Sequence, residues 1–237
     1  MRNKLKIIIA AALCLPLTAL ADNRFANNQD QSMRARMGDV KDPSRFQAMI
    51  NESAEVYDAI AKGAHGEVPM SVLNNARCIA VLPNVVTGAL LVGGTYGEGL
   101  ASCKDSSNVW SQPAPISLKQ GSFGLQAGAK SADLLFFFQN KEAVQALKRG
   151  NFALGADVSA VAGSYEANVD TSNAGVVVYS RTEGVFAGAS VNGAKIGKDQ
   201  KDLNSYYGRK VDYRNLLEGK VTPDTTGYTD KLTRLFP

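Results

Sequence analysis

The chain contains a single histidine, His65, which excludes a multi-histidine metal site and a two-histidine mechanism within one chain. Cysteine is almost as scarce. Of three, Cys14 lies in the N-terminal apolar run, which leaves Cys78 and Cys103. No Cys-x-x-Cys pair occurs, so neither a dithiol redox catalyst nor a zinc site is indicated. A Gly-x-Ser-x-Gly elbow is missing too, because GASVN at 188–192 lacks the final glycine. GAKS at 128–131 places Ala129 between the glycine and lysine of a P-loop ending, and its surroundings alternate as a strand. His65-Gly66-Glu67 opens like a deaminase motif, but no Pro-Cys-x-x-Cys follows it. These gaps argue against an enzyme and give no cofactor or metal to expect.

A surplus of charge of one sign is also lacking. The formal charge of +4 over 237 residues owes three positive charges to Arg2, Lys4 and Lys6. Removing residues 1–21, which carry no acid, leaves 23 basic residues against 22 acidic ones. A nucleic-acid partner requires a clear cationic surplus and is therefore not expected. At 45% hydrophobic and 20% charged, the chain is apolar enough to fill a core.

The N-terminus reads as a leader. MRNKLK is basic, Ile7 to Leu20 is apolar, and Ala19-Leu20-Ala21 is a small-x-small cleavage pattern, which predicts a cut between Ala21 and Asp22. The apolar run contains Pro16 and falls short of the roughly 20 residues a spanning helix needs. Cys14 follows Leu13 rather than a small residue, which speaks against lipidation. The short leader has a bacterial form and predicts a periplasmic or secreted protein. In that oxidising setting Cys78 and Cys103 form either a bridge or two separate buried thiols, and the compartment favours the bridge. The loop it closes would be worth about 3–4 kcal/mol in the chain-entropy account.

Three regions follow one another: the leader at 1–21, a polar linker at 22–42 without sustained periodicity, and a single domain at 43–237. Asp42-Pro43 reads as an N-cap and first-turn proline. Phe46, Met49, Ile50, Ser53, Tyr57, Ile60 and Ala61 recur at helical spacing up to Gly63. A shorter helix is predicted near 69–76. From Ile79 to about Val191 the period becomes two and glycine is frequent. GSFGLQAGA and NFALGADVSAVA alternate, with a bend at Gly163-Ser164, and DTSNAG reads as a turn. LLFFF and VVVY read as strands buried on both faces. Asn140 and Gly150 bracket a helix over KEAVQALKR. Gly93, Gly97 and Gly99 share one strand face and are expected to be covered closely. Trp110 reads as a lid over one end of the sheet. TDKLTRLF reads as a closing helix. The fold class is α+β, mostly β: a curved Gly-rich antiparallel sheet or barrel-like sandwich, with an N-terminal amphipathic helix and short C-terminal helices.

Several spaced motifs occur in a specific order. NARCIAVLPNV, GALLVGGTYGEGLAS, VWSQPAPISL and GSFGLQAGAKSADLLFFFQN precede GNFALGADVSAVAG and YYGRKVDYRNLLEGKVTPD. Together they resemble the SYLF-domain family over roughly residues 46–235. The resemblance implies a binding module without catalytic residues, and partners of the phosphoinositide and actin kind. The helix over 43–62 departs from a basic lipid-binding helix. Arg45 and Lys62 face Glu52, Glu55 and Asp58, a net charge of −1.

The expected function is that of an exported envelope protein that binds lipid or another amphiphile. The alternative is an envelope interaction module without a small ligand. An exported protein meets actin only if delivered to a host. The expected lipid site is a crevice between the first helix and the sheet, lined by Ile50 and Tyr57, with Arg77 and Lys130 orienting a headgroup. Exported material should have an intact mass that starts at Asp22, and thiol counting under denaturing, non-reducing conditions should find none free; retention of residues 1–21 or two titratable thiols would contradict this reading.

Overall fold

The computed structural model describes residues 43–62, 68–90, 92–123, 128–162, 174–181, 193–207 and 211–221. The leader and linker, His65, the bend at Gly163-Ser164 and the TDKLTRLF segment lie outside these residues. The chain order is α1 (Pro43–Ala61), α2 (Met70–Asn75), β1 (Cys78–Leu90), β2 (Val92–Cys103), β3 (Ala114–Phe123) and β4 (Gly128–Phe138). Then come α3 (Lys141–Arg149), β5 (Asn151–Ala153), β6 (Ala160–Ala162), β7 (Val176–Arg181), β8 (Lys195–Lys198), α4 (Gln200–Tyr207) and α5 (Tyr213–Leu217). All eight strands form one sheet in the order β5-β8-β3-β2-β1-β4-β7-β6.

Chain length forces this sheet to curl. A flat eight-stranded sheet would separate its edge strands by about 34 Å at ~4.8 Å per strand. Yet β5 and β6 are those edges, and only residues 154–159 join them. Even fully extended, that connection reaches about 24 Å. The result is a single curled, half-barrel sheet. It is mostly antiparallel as expected, but β6 pairs with β7 in parallel. The continuous strand expected over NFALGADVSAVA is in fact these two short edge strands. Gly155, at φ 80, turns the chain, and Asp157 Oδ2 accepts from the Ala153 N–H at 2.7 Å. A Gly-Ala-Asp turn therefore overrides the alternating pattern.

The central strands separate two cores. On one face Leu134, Phe136 and Phe138 join Cys78, Ala80, Ile116, α3 and α5. On the other, Leu135 and Phe137 join Ile79, Val81, Leu100, Val177, Tyr179 and α1. Every residue of LLFFF is at most 2% exposed, as a strand covered on both sides requires. The helix α1 lies on its face through Phe46, Ile50, Val56, Tyr57 and Ile60, all buried. At α3 the side chain of Asn140 accepts from the Ala143 N–H at 2.9 Å, and Gly150 ends the helix at φ 72. Trp110 is 8% exposed and belongs to the α1-side core.

A bulge in β1 organises the middle of the sheet. Between Val81 and Val86 the register against β2 shifts, and between Leu82 and Val85 it shifts against β4. Both shifts leave one extra residue on β1. Asn84 takes a left-handed φ of 49, which asparagine tolerates better than most side chains. Its N–H donates to Asp133 Oδ1 at 2.9 Å. Asp133 Oδ2 in turn accepts from Arg181 Nε at 2.9 Å and Nη2 at 2.6 Å.

The bulge presses on the glycine face of β2. A Cβ on Gly99 would lie 2.0 Å from the Val81 carbonyl oxygen, and one on Gly97 2.6 Å from Val85 Cγ2. The expected close cover is present at Gly97 and Gly99, supplied by the neighbouring strand itself. A Val85 methyl can rotate aside, whereas the Val81 backbone cannot. Gly97→Val should therefore cost on the order of 1–3 kcal/mol and Gly99→Ala about 3 kcal/mol or more. Gly88→Ala, where a Cβ meets nothing within 4 Å, should stay within about 0.5 kcal/mol of the parent. Melting midpoints of the three variants check this order.

Candidate functional site

Helix α1 covers only the half of its sheet face nearest the disulfide. The bulge reverses the parity of β1, so beyond it the even-numbered residues of β1 and β2 point to the α1 side. There the register aligns Lys195, Lys119, Tyr96, Val86 and Ser131 across five strands. The next row on the same face is Gly121, Gly94, Gly88 and Ala129. Val86 is 48% exposed and Tyr96 47%, two of the few large apolar side chains so exposed among the described residues. Gly88 and Gly121 have open space where a side chain would stand. Among the described residues, the half of the sheet beyond α1 is thus a glycine-floored surface bearing an adjacent, exposed valine and tyrosine. Lys119 Nζ lies 5.9 Å from the Tyr96 ring centroid.

A polar network marks the border with α1. The Tyr96 hydroxyl donates to Glu98 Oε1 at 2.5 Å. Arg45, at the start of α1, reaches Glu98 Oε2 at 2.8 Å and Asp202 Oδ2 at 3.4 Å. Tyr206 donates to Asp202 at 2.9 Å, and its ring stacks on Phe46 with centroids 4.3 Å apart. Burial, ahead of the opposing Tyr206 hydrogen bond and the Arg45 charge, pushes the Asp202 carboxyl up. Burial first, then Glu98, holds the Tyr96 phenol well above its usual range. This network clamps the first turn of α1 to β2 and α4.

The residues expected to line a lipid crevice do not come together. Ile50 is 0% and Tyr57 1% exposed, so helix and sheet meet in a filled core and no crevice separates them. Burial pushes the Tyr57 phenol up to about 12. Arg77 is exposed at the disulfide end of the sheet, with Nη1 3.4 Å from Asn108 Oδ1. Lys130 sits on β4 opposite Thr87, and its side chain lies outside the described residues. Cys78 and Cys103 are cross-strand partners joined by a disulfide. The surface around Val86 and Tyr96 was not picked out from sequence; the signal was the even-numbered face of GGTYGEG, read only against its glycine side. A second depression of about 530 Å³, lined by Leu154, Gly155, Ala156, Ser159, Ala160 and Gly193, holds one hydroxyl as its polar side chain. Among the described residues no cluster of His, Cys, Asp and Glu is set to hold a metal, and no helix is long and apolar enough to cross a membrane.

The Ysc84 family, described as a Las17-binding protein actin regulator, matches residues 119–235. Over these residues the chain is similar to the SYLF-domain family. Protein YSC84 of Saccharomyces cerevisiae is 29% identical over 192 residues, covering 76% of this chain and 41% of that protein. LAS seventeen-binding protein 3 of the same species is 27% identical over 194 residues, or 76% and 42%. The SH3 domain-containing YSC84-like protein 1 of Bos taurus is 27% identical over 191 residues, or 76% and 56%. The chain therefore spans about half the length of the curated relatives it matches. No solved structure matches it. The restriction placed on actin from the leader finds no support in these similarities.

Arg45→Gln tests the clamp. Because the folded pKa of Asp202 is raised, its deprotonation lowers stability as pH rises, and Arg45 offsets part of that loss. The variant should lose about 1 kcal/mol near pH 7 and less near pH 4, where the raised pKa leaves Asp202 more protonated than a free carboxyl. Urea midpoints at the two pH values check the difference.

Proposed function

We propose that this chain is a non-catalytic binding module that takes an amphiphile on the open half of its sheet. The observation that carries the reading is the exposed Val86–Tyr96 pair standing above a row of glycines. A glycine floor lets an extended chain approach the backbone, while the valine and tyrosine supply apolar contact and an aromatic face. Lys119 and Glu98 flank the surface and give a polar end somewhere to pair. The leader over residues 1–21 supports placement in the cell envelope, where lipid is abundant. A near-neutral mature chain and an acidic α1 favour apolar over purely electrostatic attachment.

A protein partner is the second reading. It is favoured by the description of the matching family as an actin regulator and by a relative named for binding LAS seventeen. A filament or peptide would use the same exposed surface.

Flotation with phosphatidylcholine vesicles separates the two. Vesicle binding should survive about 0.5 M salt, where exposed charges are heavily screened. It should fall several-fold in Val86→Ser and Tyr96→Ser, whose side chains are exposed enough to leave the fold intact. Ile50 and Tyr57 are unsuitable for this purpose, since polar replacements there open the core. Flotation indifferent to both substitutions rejects the open face as the lipid site. Absence of flotation together with cosedimentation on actin filaments that Tyr96→Ser weakens transfers the face to a protein partner.

A further inference from the structure

The far end of the sheet carries a second arrangement, independent of the open face. Arg77 precedes Cys78 and Lys104 follows Cys103, so the antiparallel register that pairs the cysteines places the two cations side by side. The Lys104 N–H donates to the Arg77 carbonyl at 2.8 Å, and the Arg77 N–H donates to the Phe138 carbonyl at 2.8 Å. The disulfide, immediately inside the pair, locks the spacing of both backbones. Lys104 Nζ stands 4.9 Å above the Trp110 ring centroid, and Arg77 Nη1 is 3.4 Å from Asn108 Oδ1.

Neither cation has a carboxylate partner among the described residues. The adjoining acid, Asp105, uses Oδ1 to accept from the N–H groups of Ser107 at 2.7 Å and Val109 at 2.9 Å. It thereby shapes the loop that carries Asn108 and the 58% exposed Val109. Partial burial and then the charge of Arg77 hold the Lys104 ammonium below its usual range. Two like charges fixed together without an acid favour an anion between them, and a guanidinium fork beside an ammonium suits a tetrahedral oxyanion.

We infer that Arg77 and Lys104, held in register by the Cys78–Cys103 bridge, form a binding site for a phosphate group. The group is either inorganic phosphate or the phosphate of a lipid headgroup. Trp110 is the one tryptophan of the chain, so its fluorescence reports the site directly. The oxidised protein is titrated at constant ionic strength with inorganic phosphate. In parallel it is titrated with phosphatidylcholine vesicles with and without phosphatidic acid. The expected result is a saturable Trp110 response that weakens about tenfold in Arg77→Gln and in Lys104→Gln, with near-UV circular dichroism unchanged. Arg77→Gln leaves the Lys104–Trp110 contact in place and so keeps the probe intact. Reduction of the disulfide should weaken the response as well. Saturation by inorganic phosphate alone assigns a soluble ligand, and a response confined to phosphatidic acid vesicles assigns a headgroup. Tyr96→Ser should leave the signal unchanged. No response to either probe, or one that both glutamine variants retain, overturns the site; loss in Tyr96→Ser with retention in both glutamine variants overturns it while leaving the open-face reading intact.

Discussion

The extra residue in β1 is the constraint from which the rest of the sheet follows. Asn84 in a left-handed conformation would be an isolated strain in an exposed strand. Here Asp133 accepts its N–H, and Arg181 on β7 holds Asp133 in place with two donors. A three-strand polar staple therefore stabilises a local kink. The kink brings the β1 backbone onto β2, and only glycine at position 99 leaves room for the Val81 carbonyl. It also exchanges the two faces of β1, so that odd residues after the bulge point where even residues pointed before it. Increased local twist at a bulge contributes to the curl that the short link between β5 and β6 demands.

The curl divides the sheet into unlike halves. Around the disulfide both faces are covered, and the apolar strands β4 and β7 deliver alternate side chains to two separate cores. Beyond the bulge, large buried side chains give way to glycines, Val86 and Tyr96. Helix α1 stops at the boundary, where Arg45 meets Glu98 and Asp202. Tyr96 is tied to the same Glu98, so the helix clamp and the exposed surface share one carboxylate. A displacement of the first turn of α1 would therefore be felt at Tyr96 through Glu98.

The SYLF family match supports a binding role, and the geometry offers an exposed surface for one. Glu98 and Asp202 are bridged by a guanidinium, an arrangement that holds carboxylates as ion-pair partners. The glycine floor and the exposed valine and tyrosine favour contact with extended apolar groups. At the opposite end, the disulfide fixes two cations that no carboxylate among the described residues pairs with. The proposed apolar surface and the proposed anion site thus lie at separate ends of one sheet, linked by β1 and β2.

Local chemistry by itself determined the pieces with short-range causes. The i, i+4 apolar stripe from Phe46 to Ile60 makes α1, Asn140 and Gly150 bound α3, and the uninterrupted LLFFF and VVVY make strands buried on both sides. The glycine face of β2 was legible as crowded because no side chain was available there. What covers it was not, since the Pro83-Asn84 bulge becomes visible only through register with two partner strands. The division of NFALGADVSAVA into opposite edges was hidden for a similar reason. A turn at Gly155 competes with alternation, and the winner depends on where β7 and β8 lie. Ile50 and Tyr57 carried the right apolarity for a ligand site, but a stripe reads alike whether it meets a ligand or a core. Burial is a property of the partner surface, so only tertiary structure decided that α1 is sealed and that the half-sheet bearing Val86 and Tyr96 stays open.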